Sequence, residues 1–262
     1  RVARRARDVV AVGGAGAAAL SYAASKPRDG YTILLVTQTH LLTILQGKSP
    51  VKYDEFVALA RATADPQVLM VGKGSPIKTP QELVAAGKSR NLKVGVTHVG
   101  SIDHISLIGF ARKAGLQAPT AVPFRGGGDI VINVVSGNLD FGMLNYAEGE
   151  SQIKAGDVRP IMVLARQRMK VLPNVPTAKE VGIDAEYSTV RGFVTLKGVP
   201  DDRLKILEDG LMKSMQGQMY TTYIETSGQA PDSVAPRAAW QAQLDAMYKE
   251  ADNELKALGP TK

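Results

Sequence analysis

Leu92-Lys93-Val94-Gly95-Val96-Thr97-His98-Val99-Gly100-Ser101 runs straight into the helical pattern Ile102 to Ala114. A second stretch, Thr120-Ala121-Val122-Pro123-Phe124-Arg125-Gly126-Gly127-Gly128-Asp129, runs into Ile130 to Ser136 in the same way. Each reads as an apolar strand, a turn of small residues and a helix. Such a turn aims unpaired backbone N–H groups and the positive end of a helix dipole at one spot, which makes it a seat for an anion. Two seats at neighbouring strand ends, one of them carrying Arg125, point to a protein that holds a small carboxylate or phosphate.

Outward from these turns the pattern continues as strand, helix, strand, helix, strand over 92–97, 102–114, 120–123, 128–136 and 139–144. This alternation predicts an open parallel sheet. Upstream, Ala17 to Ser25 reads as a helix, Tyr31 to Thr37 as a buried strand and His40 to Leu45 as a helix. Asp8 to Val12 reads as a short strand, and Gly13-Gly14-Ala15-Gly16 as a turn. Phe56 to Thr63 and Gln67 to Val71 read as two strands. Thr79, Pro80 and Glu82 form a helix N-terminus. Downstream come a strand over Pro160 to Ala165, a short helix capped by Thr177, a strand over Val190 to Leu196, and helices over 201–215, 218–227 and about 235–258.

Two strands lead into Gly-Pro turns, Leu69 to Pro76 and Phe193 to Pro200, and they bracket the regular block between them. That layout predicts one α/β domain inserted into another through two crossover strands. The expected division places 1–71 and 197–262 in one lobe and 72–196 in the other. In open α/β sheets ligands sit at the carboxyl ends of strands, so a ligand between the lobes would face loops from both.

Composition narrows the function. The 262 residues suffice for one large α/β domain or two smaller ones. There are no cysteines, which excludes disulfides, thiolate metal sites and cysteine nucleophiles. The net charge of +7 suits attraction of anionic ligands. Aromatic residues make up only 5%, and Lys and Arg are scattered except at residues 1–7, so no nucleic-acid platform is visible. No apolar run approaches the roughly 18 residues of a membrane span. Arg1 to Arg7 carries the charge of a signal sequence, but glycine-broken sequence follows it, so it reads as the remnant of a helix.

No Ser–His–Asp order, Gly-x-Ser-x-Gly elbow or Walker lysine is present. Gly13-Gly14-Ala15-Gly16 lacks the acidic residue that a dinucleotide site needs downstream. His40, His98 and His104 have no metal-ligand spacing, and His104 reads as a structural hydrogen-bonder. No metal or cofactor is expected.

The motifs together resemble the tripartite tricarboxylate transporter substrate-binding proteins, the TctC or Bug family of periplasmic receptors. Lys26-Pro27-Arg28-Asp29-Gly30-Tyr31-Thr32-Ile33-Leu34 is similar to the family's Pro-x-Asp-Gly-Tyr-Thr-Leu. Gly100-Ser101 with His104 resembles its Gly-Ser-x-x-His, and Val122-Pro123-Phe124-Arg125-Gly126-Gly127 its Val-Pro-Tyr/Phe-x-Gly-Gly. Ser136-Gly137-Asn138-Leu139-Asp140 resembles Gly-Gly-x-Val-Asp. Asn174-Val175-Pro176-Thr177 with Glu180 and Gly182, and Arg191-Gly192-Phe193 with Lys197-Gly198-Val199-Pro200, complete the series. The resemblance extends from about Gly13 to the end.

The resemblance implies a two-lobed clamshell of the type II periplasmic-binding class that closes on a small organic acid, a di- or tricarboxylate by preference. It implies a periplasmic, monomeric receptor that passes the ligand to a membrane permease and does no chemistry. The family's initial strand and Pro-Gly-Gly-x-x-Asp loop have no counterpart, as though sequence ahead of Arg1 were missing.

The expected ligand contacts are Gln38 and Thr39 from the first lobe, and Thr97, Gly100, Ser101, Arg125, Gly126, Gly127, Asn145 and Arg191 from the second. Gly100 and Ser101 read either as a helix cap or as a carboxylate seat. Arg125 reads either as a two-pronged carboxylate grip or as a solvated cation. Many relatives carry an aromatic residue where Arg191 stands. Competing readings are an enzyme of similar architecture acting on an organic acid, which would need a titratable pair in the cleft, and a sensing domain of a regulator, which would need a DNA-binding segment.

Overall fold

The computed structural model describes residues 16–97, 100–230 and 232–258. The expected strand Asp8–Val12, the residues Gly13 to Ala15 and His98 lie outside the described residues.

One strand organises the molecule. β2 (Phe56–Gly72) replaces the two strands expected on either side of Asp65-Pro66. In its first part it pairs antiparallel with β7 (Ser188–Leu196), from Phe56↔Leu196 to Pro66↔Ser188. From Gln67 onward it pairs antiparallel with β5 (Phe141–Asn145) and β6 (Val158–Val163). Pro66 lacks a backbone N–H. It takes the last position of the ladder to β7, where a missing donor costs least. The Gln67 N–H then donates to the Tyr187 carbonyl at 2.9 Å.

The first sheet is completed by β1 (Leu34–Val36), antiparallel to β7, and by β8 (Ala235–Pro236) on the other side of β2. In the second, β3 (Lys93–Val96) lies parallel to both β4 (Thr120–Pro123) and β5. The expected parallel arrangement therefore holds for β3, β4 and β5 alone. The sheet as a whole is mixed, because β2 enters it from the first lobe running the opposite way.

Each lobe has its own core. Leu69 and Val71 of β2 join Val94, Val96, Phe141, α3 (Pro80–Ser89) and α4 (Ile102–Ala114) through Leu83, Leu107 and Phe110. Val68 and Met70 join α5 (Gly127–Val135) through Ile130, Val131 and Val134, and α6 (Tyr146–Ala155) through Tyr146. Alternate residues thus go to opposite faces, and both faces are covered, which is why the strand is apolar throughout. In the first lobe, α1 (Ala17–Ala24), α2 (Gln38–Leu45) and α9 (Arg237–Leu258) pack around Leu20, Val36, Leu41, Trp240 and Leu244. Smaller clusters seat α7 (Asp201–Met215) and α8 (Gln218–Thr226) against Leu59, Ala60 and Ala62. The result is a two-lobed α/β molecule with β2 and β7 crossing between the lobes.

The expected buried strand Tyr31–Thr37 contracts to β1, in which only Leu34 and Val36 are buried. Tyr31 and Leu35 are 56% and 49% exposed. The Asp29 carboxylate takes the Tyr31 N–H at 3.0 Å and holds that end of the segment in a turn. Thr79 and Glu82 form the expected capping box on α3. Among the described residues no helix is long and apolar enough to cross a membrane.

Candidate functional site

The turns after β3, β4 and β5 all lie at the carboxyl edge of the second sheet, as the strand–turn–helix pattern requires. Their backbone donors are partly used by the protein itself. The Thr97 N–H and hydroxyl both donate to the Asp103 carboxylate, at 2.9 and 2.7 Å. The Gly100 N–H donates to His104 Nδ1 at 3.0 Å, with Gly100 at φ 81°, a conformation glycine adopts without strain. Ser101 is the N-cap of α4: it is buried, and its hydroxyl accepts the His104 N–H. Thr97, Gly100 and Ser101 therefore build the start of α4, and His104 is the structural hydrogen-bonder the sequence predicts.

The second seat is more open. Gly126 is the N-cap of α5 and offers no side-chain cap. Arg125 is exposed, and its side chain makes no ion pair among the described residues. Gly127 is buried for a reason of space. A Cβ there would lie 2.3 Å from Glu148 Oε1, so the Glu148 carboxylate rests against the first turn of α5. Glu148 also accepts the Asn145 N–H at 2.8 Å, closing a capping box on α6. Part of its side chain reaches solvent, but packing around the carboxylate raises its pKa. The Asn145 N–H opposes that rise, Asp103 adds to it and Arg191 opposes it.

Asn145 and Gln38 fasten the crossover. The Asn145 amide donates to the carbonyls of Asp65 (2.8 Å) and Pro66 (3.3 Å) and accepts the Thr189 hydroxyl (3.1 Å). It ties α6 to both crossover strands at once. The Gln38 amide donates to the Ser188 carbonyl at 2.6 Å and accepts the Val190 N–H at 3.2 Å. Its side chain thus continues the β1–β7 ladder past the point where the backbone has turned into α2. The helix begins at Gln38 itself, with Thr37 as its cap, so Gln38 and Thr39 sit in a first turn and not in a loop. Thr39 is half-buried and gives its N–H to the Thr37 hydroxyl. His40, whose pKa burial lowers, accepts the Thr37 N–H in the same cap.

Sequence reasoning missed the group between these fasteners. Asp65 is 6% exposed. Burial pushes its pKa up to about 7, while Arg191 and the amides of Gln229 and Asn145 pull the other way and Glu148 adds to the rise. The Arg191 guanidinium approaches it to 4.0 Å and is itself 39% exposed, facing outward from β7. Asp65, Asp103 and Glu148 surround the positions expected to take a carboxylate, with Arg191 and Arg125 as the nearby cations. Glu148 was legible as the fourth member of Asn145-x-x-Glu148, the spacing of a capping box. Asp65 carried no such signal, because its burial is tertiary.

A cavity of about 780 Å³ lies elsewhere along the lobe boundary. It runs between α2, α9 and the first turn of α4, and of the expected contacts it takes only Gln38. Its wall is mixed, with Leu41, Ile102 and Met247 beside Arg61, Arg166 and Glu186. Arg61 and Asp232 from the first lobe face Arg166 and Glu186 from the second there. The carboxyl-end turns and this groove are separate candidates. The turn after β4 opens a helix that has no side-chain cap. Among the described residues no group of His, Asp and Glu gathers as a metal site.

Comparison with known proteins accords with this architecture. A crystal structure of a TctC solute-binding protein from Polaromonas superposes with a TM-score of 0.82 at 24% identity, covering 94% of this chain and 84% of that one. A Rhodopseudomonas palustris protein with adipate gives 0.75 at 23%, covering 93% and 83%. MatC from Rhodopseudomonas palustris with bound malate gives 0.72 at 24%, covering 92% and 84%. Residues 9–252 match the tripartite tricarboxylate transporter family receptor, TctC, so the chain belongs to that family of solute-binding proteins.

Proposed function

We propose that this protein is a periplasmic receptor that closes its two lobes on a small carboxylate and delivers it to a membrane permease, as a monomer and without chemistry. The observation that carries the reading is the first turn of α5, with its uncapped Gly126 and the unpaired Arg125 beside it. Helix-terminal N–H groups together with a guanidinium make a carboxylate site. Structural neighbours hold adipate and malate, which supports the ligand class.

In this reading Arg125, Gly126 and Gly127 contact the ligand, and Arg191 reaches it from the crossover. Gln38 and Asn145 act from behind, by fixing the strands that carry the site. Thr97, Gly100 and Ser101 act through α4, and Thr39 flanks the site from α2. The lobes divide where β2 changes sheets, at 66/67 and again at 187/188, and not at 71/72 and 196/197. Closure about that crossover shifts a two-state population toward the form that the permease recognises.

A thermal-shift screen against mono-, di- and tricarboxylates, amino acids and phosphates tests this. A ligand at 100 times its Kd adds about 2.7 kcal/mol of stability. Carboxylates shift the midpoint, and Arg125→Ala weakens the shift. Failure of every carboxylate alongside binding of another class refutes the reading.

The enzyme reading gains one observation, the raised pKa values of Asp65 and Glu148. A general acid must reach its substrate, and Asp65 Oδ1 is closed off from solvent. Glu148 does reach solvent, but the family and the structural neighbours are solute-binding receptors, which gives the receptor reading the stronger support.

A further inference from the structure

Acceptors outnumber donors where the two strands cross. Asp65 Oδ1, Gln67 Oε1 and Gln229 Oε1 are buried acceptors with no hydrogen-bond partner, and the equally buried Thr63 hydroxyl, which can donate as well as accept, has none either. Thr63, Asp65 and Gln67 stand at alternate positions of β2, so they share one side of the strand. Gln229 approaches from the segment after α8, where the Ala230 N–H donates to the Ala64 carbonyl. Apart from the Thr63 hydroxyl, the neighbouring hydroxyl and amide donors are spent elsewhere. The Gln67 amide gives its N–H to Thr189, Thr189 gives its hydroxyl to Asn145, and Asn145 bonds the strand carbonyls. A buried acceptor left unmatched is costly. One proton on Asp65 would turn an acceptor into a donor at the centre of this set.

Four other groups face the Asp65 carboxyl. They are Arg191 on β7, Asn145 at the end of β5, Glu148 on α6, and Gln229. Arg191 alone favours the ionised form by its charge, and it does so at 4.0 Å, beyond hydrogen-bond reach. Its guanidinium is part-exposed on the side where the proposed ligand lies.

We propose that Asp65 is a proton-operated positioning residue of the crossover, which takes up a proton when a carboxylate ligand engages Arg191. Protonated, its carboxyl supplies the donor that the buried oxygens lack and releases Arg191 from its only acidic neighbour within ion-pair distance among the described residues. The guanidinium is then free to pair with the ligand. Ionised, Asp65 competes with the ligand for Arg191. By linkage, an anion bound at Arg191 raises the proton affinity of Asp65, and protonation of Asp65 tightens anion binding. The ligand half of this proposal rests on the carboxylate reading above; the titration of Asp65 does not.

The test has two arms on the same samples. Without ligand, urea unfolding is followed from pH 4 to 8 for the protein and for Asp65→Asn, whose amide supplies the missing donor at every pH. Asp65 carries a folded pKa near 7 against 3.8 in the unfolded chain. Stability is therefore fullest below pH 4 and falls as pH rises to 7. The unfolding constant of the wild type relative to Asp65→Asn changes by up to about tenfold per pH unit across that window and levels off above it. Arg191→Gln removes the opposing charge and moves the upper end of the window to higher pH. A ratio independent of pH overturns the proposal. If Asp65→Asn fails to fold, the Arg191→Gln shift decides in its place.

With malate, and then adipate, as probes, titration calorimetry in buffers of different ionisation enthalpy counts protons. Up to about three quarters of a proton is taken up near pH 7.5 by the wild type, because a group with a pKa of about 7 is already partly protonated there, and none by Asp65→Asn, whose affinity no longer varies with pH. Binding without proton uptake in the wild type overturns the coupling. If neither acid binds the folded protein, the carboxylate reading fails, and the titration of Asp65 stands or falls on the first arm.

Discussion

Gly192 lies in the middle of the first sheet, on β7, opposite Val36 of β1 and Arg61 of β2. Its lack of a side chain is a matter of space. A Cβ built there would meet Trp240 Cε2 at 2.3 Å, Cζ2 at 2.5 Å and Nε1 at 2.6 Å. Trp240 cannot yield easily, since it is fully buried and its Nε1–H donates to the Phe193 carbonyl at 3.2 Å. Gly192→Ala therefore forces the ring from its place. Overpacking of a close-packed core costs about 1–3 kcal/mol. The strained or lost indole bond adds roughly 1 kcal/mol. The sum, about 2–4 kcal/mol, corresponds to a fall in Tm of roughly 5–15 °C for a chain of this size. Trp240 is the only tryptophan, so its fluorescence reports the displacement directly during thermal melting. Trp240→Phe makes room, and the alanine costs markedly less in that background. A Gly192→Ala protein that melts within about 1 °C of wild type, with unchanged emission, refutes the packing argument. So does an equal loss in the phenylalanine background.

Other substitutions probe separate links. Asn145→Ala removes the amide that joins α6 to both crossover strands; urea unfolding shows a loss of about 2–3 kcal/mol, and hydrogen exchange rises at Thr189 before it rises in the core of β3. Asp140 accepts two bonds from Arg90, at 3.0 and 2.5 Å, and one from the Lys93 N–H at 2.7 Å. Although burial alone would raise its pKa, these bonds leave it lowered below 3.8. Its contribution is therefore present above pH 4 and is lost as pH falls through the lowered value. Asp140→Asn costs about 1 kcal/mol at pH 7 and progressively less as pH falls below 3.8, as read from denaturant midpoints. Gly109→Ala would place its methyl 2.0 Å from the Tyr187 hydroxyl; it destabilises the second lobe by about 1–3 kcal/mol, measured as the Tm shift.

The block from β3 to β5 was legible because its signals are local. Small residues mark the turns, helices open on polar caps, and the strands between them are short and apolar. The crossover was harder to read. Asp65-Pro66 has the chemistry of a break, and only the change of sheet at that point shows how one strand passes through it. The length of β1 was overestimated because a continuous apolar run does not reveal that one face lacks a cover; Tyr31, Ile33 and Leu35 stay exposed.

At the site, the turns were legible and their occupants were not. Nothing in Gly100-Ser101 announces that Asp103 and His104 take the nearby donors, although both belong to the same helical turn. Glu148 against Gly127, and Asp65 behind Arg191, arise only when α5, α6 and the two strands meet. Gln38 was expected in the cleft from its place at a strand end; both ends of its amide are bonded to β7.

The account's central claim is that a carboxylate is held at the carboxyl-end turns of the second lobe, against the first turn of α5. A crystal structure of the protein with the best-binding acid from the thermal-shift screen tests this most directly. The account predicts a ligand carboxylate within hydrogen-bond distance of the N–H groups at Gly126 and Gly127, with Arg125 or Arg191 paired to it. Ligand density in the groove between α2, α4 and α9, with those N–H groups left to solvent, would contradict it.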